Sequence, residues 1–441
     1  MLENYQRHNQ FWHDDLASFL THDPHLHALS KLVYQYSPDW WQSLSPKTPG
    51  IYILTGGRQV GKSTSCKLWI AHCLKKKYFS PRRILYLPCD EIFDAKMLSM
   101  VLRVFIEAQH NHPFLLVIDE ITFVKDWERV IKAIADEGYF QQGICLLTGS
   151  DTLILKEAAM SFPGRRGNAD RVDFHLYPLS FNEYVALVSK NETQSMQTLS
   201  HLFDQYLQCG GYLRAINDFA MHHKILPATF LTYEQWIRGD FLKRHKHEHT
   251  LLSLLYALLM VGVSQISYSS LTQKMGTANK DTVIEYCNLL ERMDVLLSLQ
   301  AFDQNKKQGF PRKDRKFHFT DPFIYHTLVR WLQKEGYMHD QDNVSTIVEA
   351  TVAAHCARYQ KVFYFKGQQG EVDVILPIAK KITAIEVKWA NQIRPNDLKT
   401  LQQFKNSMIL GKTMHVGVKE NIKLMPVYQF LTSLDSETMV S

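Results

Sequence analysis

Nine consecutive residues, Gly56-Gly57-Arg58-Gln59-Val60-Gly61-Lys62-Ser63-Thr64, place glycines, a lysine and two hydroxyls at the spacing of a phosphate-binding loop. Gly56 and Gly61 permit a tight turn in which the backbone N–H groups of Gly57, Arg58, Gln59 and Val60 converge on phosphate oxygens. The helix that begins at Ser63 adds the partial positive charge of its N-terminus. Lys62 would reach the β- and γ-phosphates, the Ser63 hydroxyl would bind Mg²⁺, and Thr64 would lie near the α- or β-phosphate. ATP with Mg²⁺ is the ligand this implies; the alternative is a glycine-rich turn that binds nothing.

Two further clusters fit the same chemistry. The run Leu115-Leu116-Val117-Ile118-Asp119-Glu120 is an apolar strand ending in two carboxylates. Asp119 would hold the metal through water, and Glu120 would orient or deprotonate the attacking water. Such a run is common by chance, so its weight comes from its place about two strands after the loop. The run Leu147-Thr148-Gly149-Ser150 puts a hydroxyl where it could sense the γ-phosphate. Thr148 and Ser150 are both candidates, and a plain turn would also use Gly149-Ser150.

Positioning these groups requires alternating elements. Strands are expected at Ile51–Leu54, Arg83–Leu87, Phe114–Ile118, Ile144–Thr148 and Val172–Leu176, and helices at Ser63–Lys76, Lys96–Gln109 and Trp127–Glu137. The alternation predicts a parallel, three-layer α/β sheet with its ligand beyond the carboxyl ends of the strands. Upstream, His25 to Leu44 reads as a helix, with Trp40-Trp41 packing on the core. Downstream come helices at Glu183–Lys190, Met196–Gln208, Leu213–His223 and Tyr233–Phe241.

The chain's 441 residues should hold about three domains. No N-terminal signal is visible, and the apolar run Leu251 to Val263 is too short to span a bilayer. Seven cysteines without a Cys-x-x-Cys pair argue against a disulfide framework or zinc site and suit a cytoplasmic location. The net charge of +6 is too mild to mark a nucleic-acid binder. Local runs carry more, at Lys243–His247 and at Lys306-Lys307, Arg312-Lys313 and Arg315-Lys316, although such runs are most often solvated loops.

The phosphate loop, Asp119-Glu120-Ile121 with Asp126-Trp127-Glu128, Thr148-Gly149-Ser150, Gly164-Arg165, Tyr177 to Tyr184 and Gly210-Gly211-Tyr212 together resemble bacterial and archaeal AAA-superfamily ATPases. Their relatives are the archaeal-ATPase and STAND groups, and they carry a C-terminal domain of uncharacterised function. The resemblance covers nearly everything after residue 50. It implies an arginine at Arg165 that faces a γ-phosphate; Arg166 adjoins it, and a surface salt bridge is an equal alternative. Gly57 and Leu213 stand where the family has proline; the first is harmless, and the second leaves open whether Arg214 can sense nucleotide from the lid.

The chain is expected to divide into an N-terminal helical extension (1–49), a P-loop ATPase core (50–180), a helical lid (181–245), a winged helix (246–335) and a nuclease-like domain (336–441). The winged helix rests on helices at Leu251–Val263, Ser267–Met275 and Lys280–Met293, with a turn at Gly276-Thr277-Ala278. Strands at Val295–Phe302 and Lys316–Phe319 complete it, joined by a basic loop. Lys280, Thr282 and the loop could meet DNA phosphates, or the fold could serve only protein contacts.

The last block is similar to the core of restriction-endonuclease-like enzymes. By that resemblance Asp373 and Glu386 would bind Mg²⁺, Lys388 would polarise the attacking water, and Glu349 would complete the metal site from a helix. Glu386 and Lys388 share a face because strand side chains alternate. Glu-x-Lys also occurs in any half-exposed strand, and such a fold can persist as an inert docking module. Three clustered carboxylates need a cation. Two functions remain open: an ATPase controlling a module that acts on DNA, or a nucleotide-dependent switch or scaffold that binds a protein partner or itself. Neither involves a membrane.

Overall fold

The computed structural model describes residues 2–434 except 14, 111, 152–153, 156–157, 159, 161, 163, 191, 277–278, 337–342, 379–380, 390–394, 414–415 and 420; at 378 and 395–397 it describes the backbone alone. The chain divides into two compact units, Met1–Tyr177 and Pro178–Ser441. Among the described residues no helix is long and apolar enough to cross a membrane.

The first unit is built on five parallel strands: β1 (Gly50–Thr55), β2 (Ile84–Pro88), β3 (Phe114–Asp119), β4 (Gly143–Thr148) and β5 (Asp173–His175). Their spatial order is β2-β3-β4-β1-β5. Every residue of β1, β3 and β4 is buried, as expected of a parallel sheet covered on both faces. Helix α3 (Lys62–Lys75) carries the chain from β1 to the β2 edge, and α4 (Ala95–Glu107) and α5 (Trp127–Asp136) carry it back strand by strand. Right-handed crossovers in opposite directions put α3 on one face and α4 and α5 on the other, which makes three layers.

The order has a consequence for the site. β4 lies between β1 and β3, so Thr148 at its end stands between the phosphate loop after β1 and the carboxylates after β3.

The N-terminal segment closes the sheet's open edge. The buried Asn9 amide donates to the Tyr86 carbonyl at 2.9 Å and accepts from the Tyr86 N–H at 2.7 Å, while Trp12 Nε1 donates to the Ile84 carbonyl. These side chains satisfy the outward backbone groups of β2, which an edge strand otherwise leaves available to another chain. Helices α1 (Leu16–His22) and α2 (Pro24–Ser30) pack on α3, and Asp23 between them holds Lys67 of α3 at 2.7 Å. The helix expected from His25 to Leu44 stops at Ser30. Turns and a short 3₁₀ segment, Trp40–Ser43, follow, and Trp40 packs on Trp69 and Phe174.

The second unit opens with helices α6 (Phe181–Val188), α7 (Met196–Cys209), α8 (Leu213–His222) and α9 (Pro227–Lys243). Ser180 and Glu183 form a reciprocal capping box at the start of α6. Next come α10 (Glu248–Val261), α11 (Tyr268–Met275) and α12 (Lys280–Arg292), followed by the hairpin β6 (Leu296–Asp303) and β7 (Gln308–Phe319). The turn residues Thr277 and Ala278 lie outside the described residues. Then α13 (Pro322–Lys334) and α14 (Val344–Ala357) lead into strands β8 (Phe363–Lys366), β9 (Glu371–Ile378), β10 (Lys381–Lys388), β11 (Asn406–Gly411), β12 (Gly417–Lys419) and β13 (Ile422–Pro426).

The sequence places a division at residue 335, and one sheet runs across it. β6 pairs parallel with β8, so the hairpin joins one eight-stranded mixed sheet of order β12-β13-β11-β10-β9-β8-β6-β7. The hairpin is therefore not a free-standing wing. The basic stretch Lys306–Arg315, expected as a loop, is mostly the start of β7, a strand that runs from an exposed end to a buried one.

Candidate nucleotide site and the C-terminal carboxylate cluster

The phosphate loop owes its shape to unusual backbone angles. Gly56 (φ +148°), Gln59 (φ +63°) and Gly61 (φ +95°) all depart from the ordinary region, and a side chain at Gly56 would come within 2.4 Å of the Leu176 carbonyl. Only glycine fits at position 56. Arg58 and Val60 are half-buried, Gln59 is exposed at the tip, and Ser63 and Thr64 lie half-buried in the first turn of α3. The buried Lys62 ammonium donates to the Gly56 and Gly57 carbonyls at 3.0 Å and lies 3.4 Å from Glu120 Oε1.

Asp119 and Glu120 are held by a connected set of hydrogen bonds. Tyr86 Oη donates to Asp119 Oδ2 at 2.6 Å, and Thr148 Oγ1 donates to Asp119 Oδ1 at 2.5 Å. The same Thr148 oxygen accepts the Glu120 N–H at 3.0 Å. Ser150 donates both its N–H and its hydroxyl to Glu120 Oε2, each at 3.0 Å. Glu120 takes the left-handed conformation, φ +53°, which a side-chain-bearing residue holds only under constraint, and such strain gathers at functional sites.

Burial, then the charge and hydrogen bond of Asp119, push the Tyr86 phenol well above its usual range, so it stays a donor; the nearby Ser63 side chain pulls the other way. A hydroxyl and a carboxylate therefore meet in one network beside the loop, a hard oxygen donor set that fits Mg²⁺.

Both Thr148 and Ser150, the two alternatives for the sensor position, join this network, each on a different carboxylate. Tyr86 is a residue the sequence reasoning passed over. Its signal was a phenol inside Ile84-Leu85-Tyr86-Leu87, since a buried polar tip requires a partner.

Of the two alternatives for Arg165, the structure shows the salt bridge. Arg165 pairs with Asp136 at the end of α5, and Arg166 holds Asp173 through two nitrogens at 2.7 and 2.8 Å. The Arg166 carbonyl abuts Gly50, the first residue of β1, whereas the phosphate loop follows its last. Five residues of strand, about 16 Å, separate those two points. Neither arginine of this chain lies at its own phosphate loop. Arg214, in the second unit, hydrogen-bonds Thr232 at 3.3 Å.

In the second unit the sheet and α14 bring together the residues expected to bind metal. Asp373 on β9 lies beside β10, where its Oδ2 accepts the Val387 N–H at 2.9 Å, and Lys388 pairs with Glu386 at 2.6 Å. Glu349 faces Asp373 from α14, and between them sits Lys316, which the sequence reading placed at the start of a strand, at the end of a basic run, and gave no role in this site. Lys316 Nζ lies 2.9 Å from Glu349 Oε1, 2.9 Å from Asp373 Oδ1 and 2.6 Å from Glu371 Oε1. Lys316 is 1% exposed.

Among the described residues no group of three or more His, Cys, Asp or Glu side chains is arranged to hold a metal ion. The expectation of a divalent metal on Glu349, Asp373 and Glu386 thus meets a centre that already has a cation. Burial pushes Glu349 up to about 8, the Asp373 charge adding to it and the Lys316 ammonium opposing it. Burial works against the Asp373 carboxylate, but Lys316 and the Val387 N–H hold it below its ordinary value.

Residues 48–185 match the family described as an AAA domain; residues 200–335 and 345–430 match two domains of unknown function, DUF8612 and DUF4143. An uncharacterised protein of Haemophilus influenzae is 25% identical over 403 residues, 87% of this chain and 94% of that protein. An uncharacterised protein of Methanocaldococcus jannaschii is 25% identical over 423 residues, 86% of this chain and 84% of its own length. Among solved structures, the Walker-type ATPase of Pyrococcus abyssi superposes with a TM-score of 0.44 at 12% identity, covering 66% of this chain and 93% of that one. The ORC2 protein of Aeropyrum pernix, in its ADPNP-ADP complexes, gives 0.40 at 12% identity, covering 71% and 94%. The phosphate loop, the paired carboxylates and the strands that carry them all lie within residues 48–185, the segment that matches the AAA domain.

Proposed function

We propose that the protein binds ATP with Mg²⁺ at Gly56–Thr64 and hydrolyses it. The observation that carries this reading is the convergence of Lys62, Thr148 and Ser150 on the Asp119-Glu120 pair. In the nucleotide complex the N–H groups of residues 57–61 hold phosphate oxygens, and Lys62 exchanges its two loop carbonyls for the β- and γ-phosphates. Ser63 and Asp119 would hold the metal, Asp119 through water, and the ion would supply neutralisation of charge on the phosphates. Glu120 orients the attacking water and accepts its proton, while Ser150 and Lys62 fix the direction of that carboxylate. Thr148 ties Asp119 to the Glu120 backbone, so metal binding and water activation share one anchor.

The nucleotide state then acts through residues 178–441. One output is a module on DNA, supported by the exposed basic residues Lys306, Lys307, Arg312 and Lys313 at the hairpin end. The other is a docking module for a protein partner, with a cluster at Asp373 that does no chemistry. The ammonium of Lys316 among the carboxylates favours the second.

The test is Mg²⁺-dependent ATP turnover in the wild type and in Lys62→Ala, alongside a panel of single-stranded, duplex and branched DNA and RNA with Mg²⁺ or Mn²⁺. Turnover lost in Lys62→Ala with no cleavage is the expected result. Equal turnover in the two proteins would remove the nucleotide-site reading. Cleavage lost in Asp373→Ala would restore the nuclease.

A further inference from the structure

The carboxylate cluster of the second unit poses a problem of charge balance. Glu349, Glu371 and Asp373 come from a helix and a strand, and each reaches one buried point. Acid groups gathered in this way repel one another and lose hydration unless a cation sits among them. That cation is commonly a divalent metal held directly by carboxylate oxygens, at about 2.0–2.1 Å for Mg²⁺. The distances to Lys316 Nζ, 2.6 to 2.9 Å, are those of an ammonium hydrogen-bonding to carboxylates.

The stoichiometry also closes. An ammonium has three N–H donors and no acceptor, and three carboxylates surround it. No donor is left over for a phosphate or a water. A metal ion could not approach the same oxygens while the ammonium remains.

The neighbouring groups agree. Lys366 reaches Glu371 at 3.4 Å, and Lys388 reaches Glu386 at 2.6 Å, so the outer acids have their own partners. His318, two residues beyond Lys316 on the same face of β7, is buried, and its Nε2 lies 4.0 Å from Glu349. Burial pulls the Lys316 ammonium down, but Asp373, Glu349 and Glu371 outweigh it and hold it well above its ordinary range, so it stays charged.

We infer that Lys316 is the resident cation of this cluster, standing where a divalent metal would otherwise be held, and that it closes the site to metal and ties β7 to α14 and β9. A metal would make the cohesion of the unit depend on the ion's concentration. A lysine makes it permanent.

The experiment is a Mn²⁺ titration without nucleotide, read by loss of the six-line signal of the free ion, on the full chain. Wild type and Asp373→Asn should bind Mn²⁺ alike, with no site that depends on Asp373. Lys316→Ala should gain one Mn²⁺ per chain, at least tenfold tighter than any wild-type binding, and Lys316→Ala with Asp373→Asn should lose it. Removing the lysine leaves buried charge uncompensated and should lower the melting temperature of the unit by roughly 10 °C in metal-free buffer, with recovery in Mn²⁺.

A Mn²⁺ site in the wild type that Asp373→Asn abolishes would overturn the inference. So would a folded Lys316→Ala that gains no ion. Should Lys316→Ala not fold at all, the wild type decides alone: a melting temperature equal in EDTA and in Mn²⁺ supports the built-in cation. A Mn²⁺-dependent rise that is absent in Asp373→Asn refutes it.

Discussion

Replacing Thr148 by valine tests the central claim about the nucleotide site. The substitution keeps shape and volume at a fully buried position and removes one oxygen that makes two bonds, to Asp119 Oδ1 at 2.5 Å and from the Glu120 N–H at 3.0 Å. The two losses should appear in different measurements. A hydrogen bond to a charged group contributes about 1.5–3 kcal/mol. If the whole of the Asp119 bond serves to hold that carboxylate toward the metal, kcat/KM for Mg·ATP falls by roughly 10- to 150-fold.

The orphaned Glu120 N–H is unsatisfied with and without nucleotide, so it acts on stability. Its cost of about 1–3 kcal/mol corresponds to a melting temperature lower by roughly 3–10 °C for a unit of this size. Thr148→Ser retains the hydroxyl and should keep most of the turnover. Steady-state hydrolysis and thermal unfolding of the three proteins check both effects. A valine variant within threefold of wild type in kcat/KM, with an unchanged melting temperature, would refute the anchoring role of Thr148.

Tyr86→Phe removes the second donor to Asp119 without changing shape. It should weaken Mg²⁺-dependent turnover about tenfold while nucleotide binding without metal is unaffected, as measured by fluorescent-nucleotide titration with and without Mg²⁺. Trp40→Ala opens a cavity between Trp69 and Phe174 and frees the Ser65 hydroxyl, and should destabilise the first unit by about 3–5 kcal/mol in urea unfolding. His318 is buried and neutral, its imidazole pushed down to about 3 by burial first and then by Lys316. Its folded value lies below the ordinary 6.5, so the unfolded chain takes up a proton that the native state refuses. The contribution is complete above pH 6.5 and is lost as pH falls, by about 1.4 kcal/mol per unit. Urea unfolding at pH 7.5 and 5.5 should show this extra loss in wild type and not in His318→Phe.

The candidate nucleotide site was legible because its chemistry is local. Strand, glycine turn and helix are consecutive, and the glycines at 56 and 61 announce the backbone angles they adopt. The apolar strands β1, β3 and β4 likewise declare burial on both faces. Thr148 could be suspected as a neighbour of the phosphates, but its role as a bridge depends on β4 lying between β1 and β3, a strand order that no local pattern encodes. The two alternatives for Arg165 could not be separated from the sequence, because a motif gives an order along the chain and not an end of the sheet. The partner of Arg165, Asp136, sits where α5 has run back from the carboxyl ends of the strands.

Lys316 shows why the second site was harder to read. In Arg315-Lys316-Phe317-His318-Phe319 the period-two pattern predicts that Lys316 and His318 share a face, but both faces of this strand are buried. A lysine beside other basic residues is ordinarily solvated, and burial becomes tolerable only where opposite charges are already gathered. Those charges come from positions 349, 371 and 373, brought to β7 because β6 pairs with β8 across the boundary expected at residue 335. The same pairing therefore accounts for the absence of a free-standing wing and for the closed carboxylate cluster. A variant that broke the β6–β8 register should release both together: the hairpin would separate, and Lys316 would leave Glu349 and Asp373 as bare acids able to take up a divalent ion.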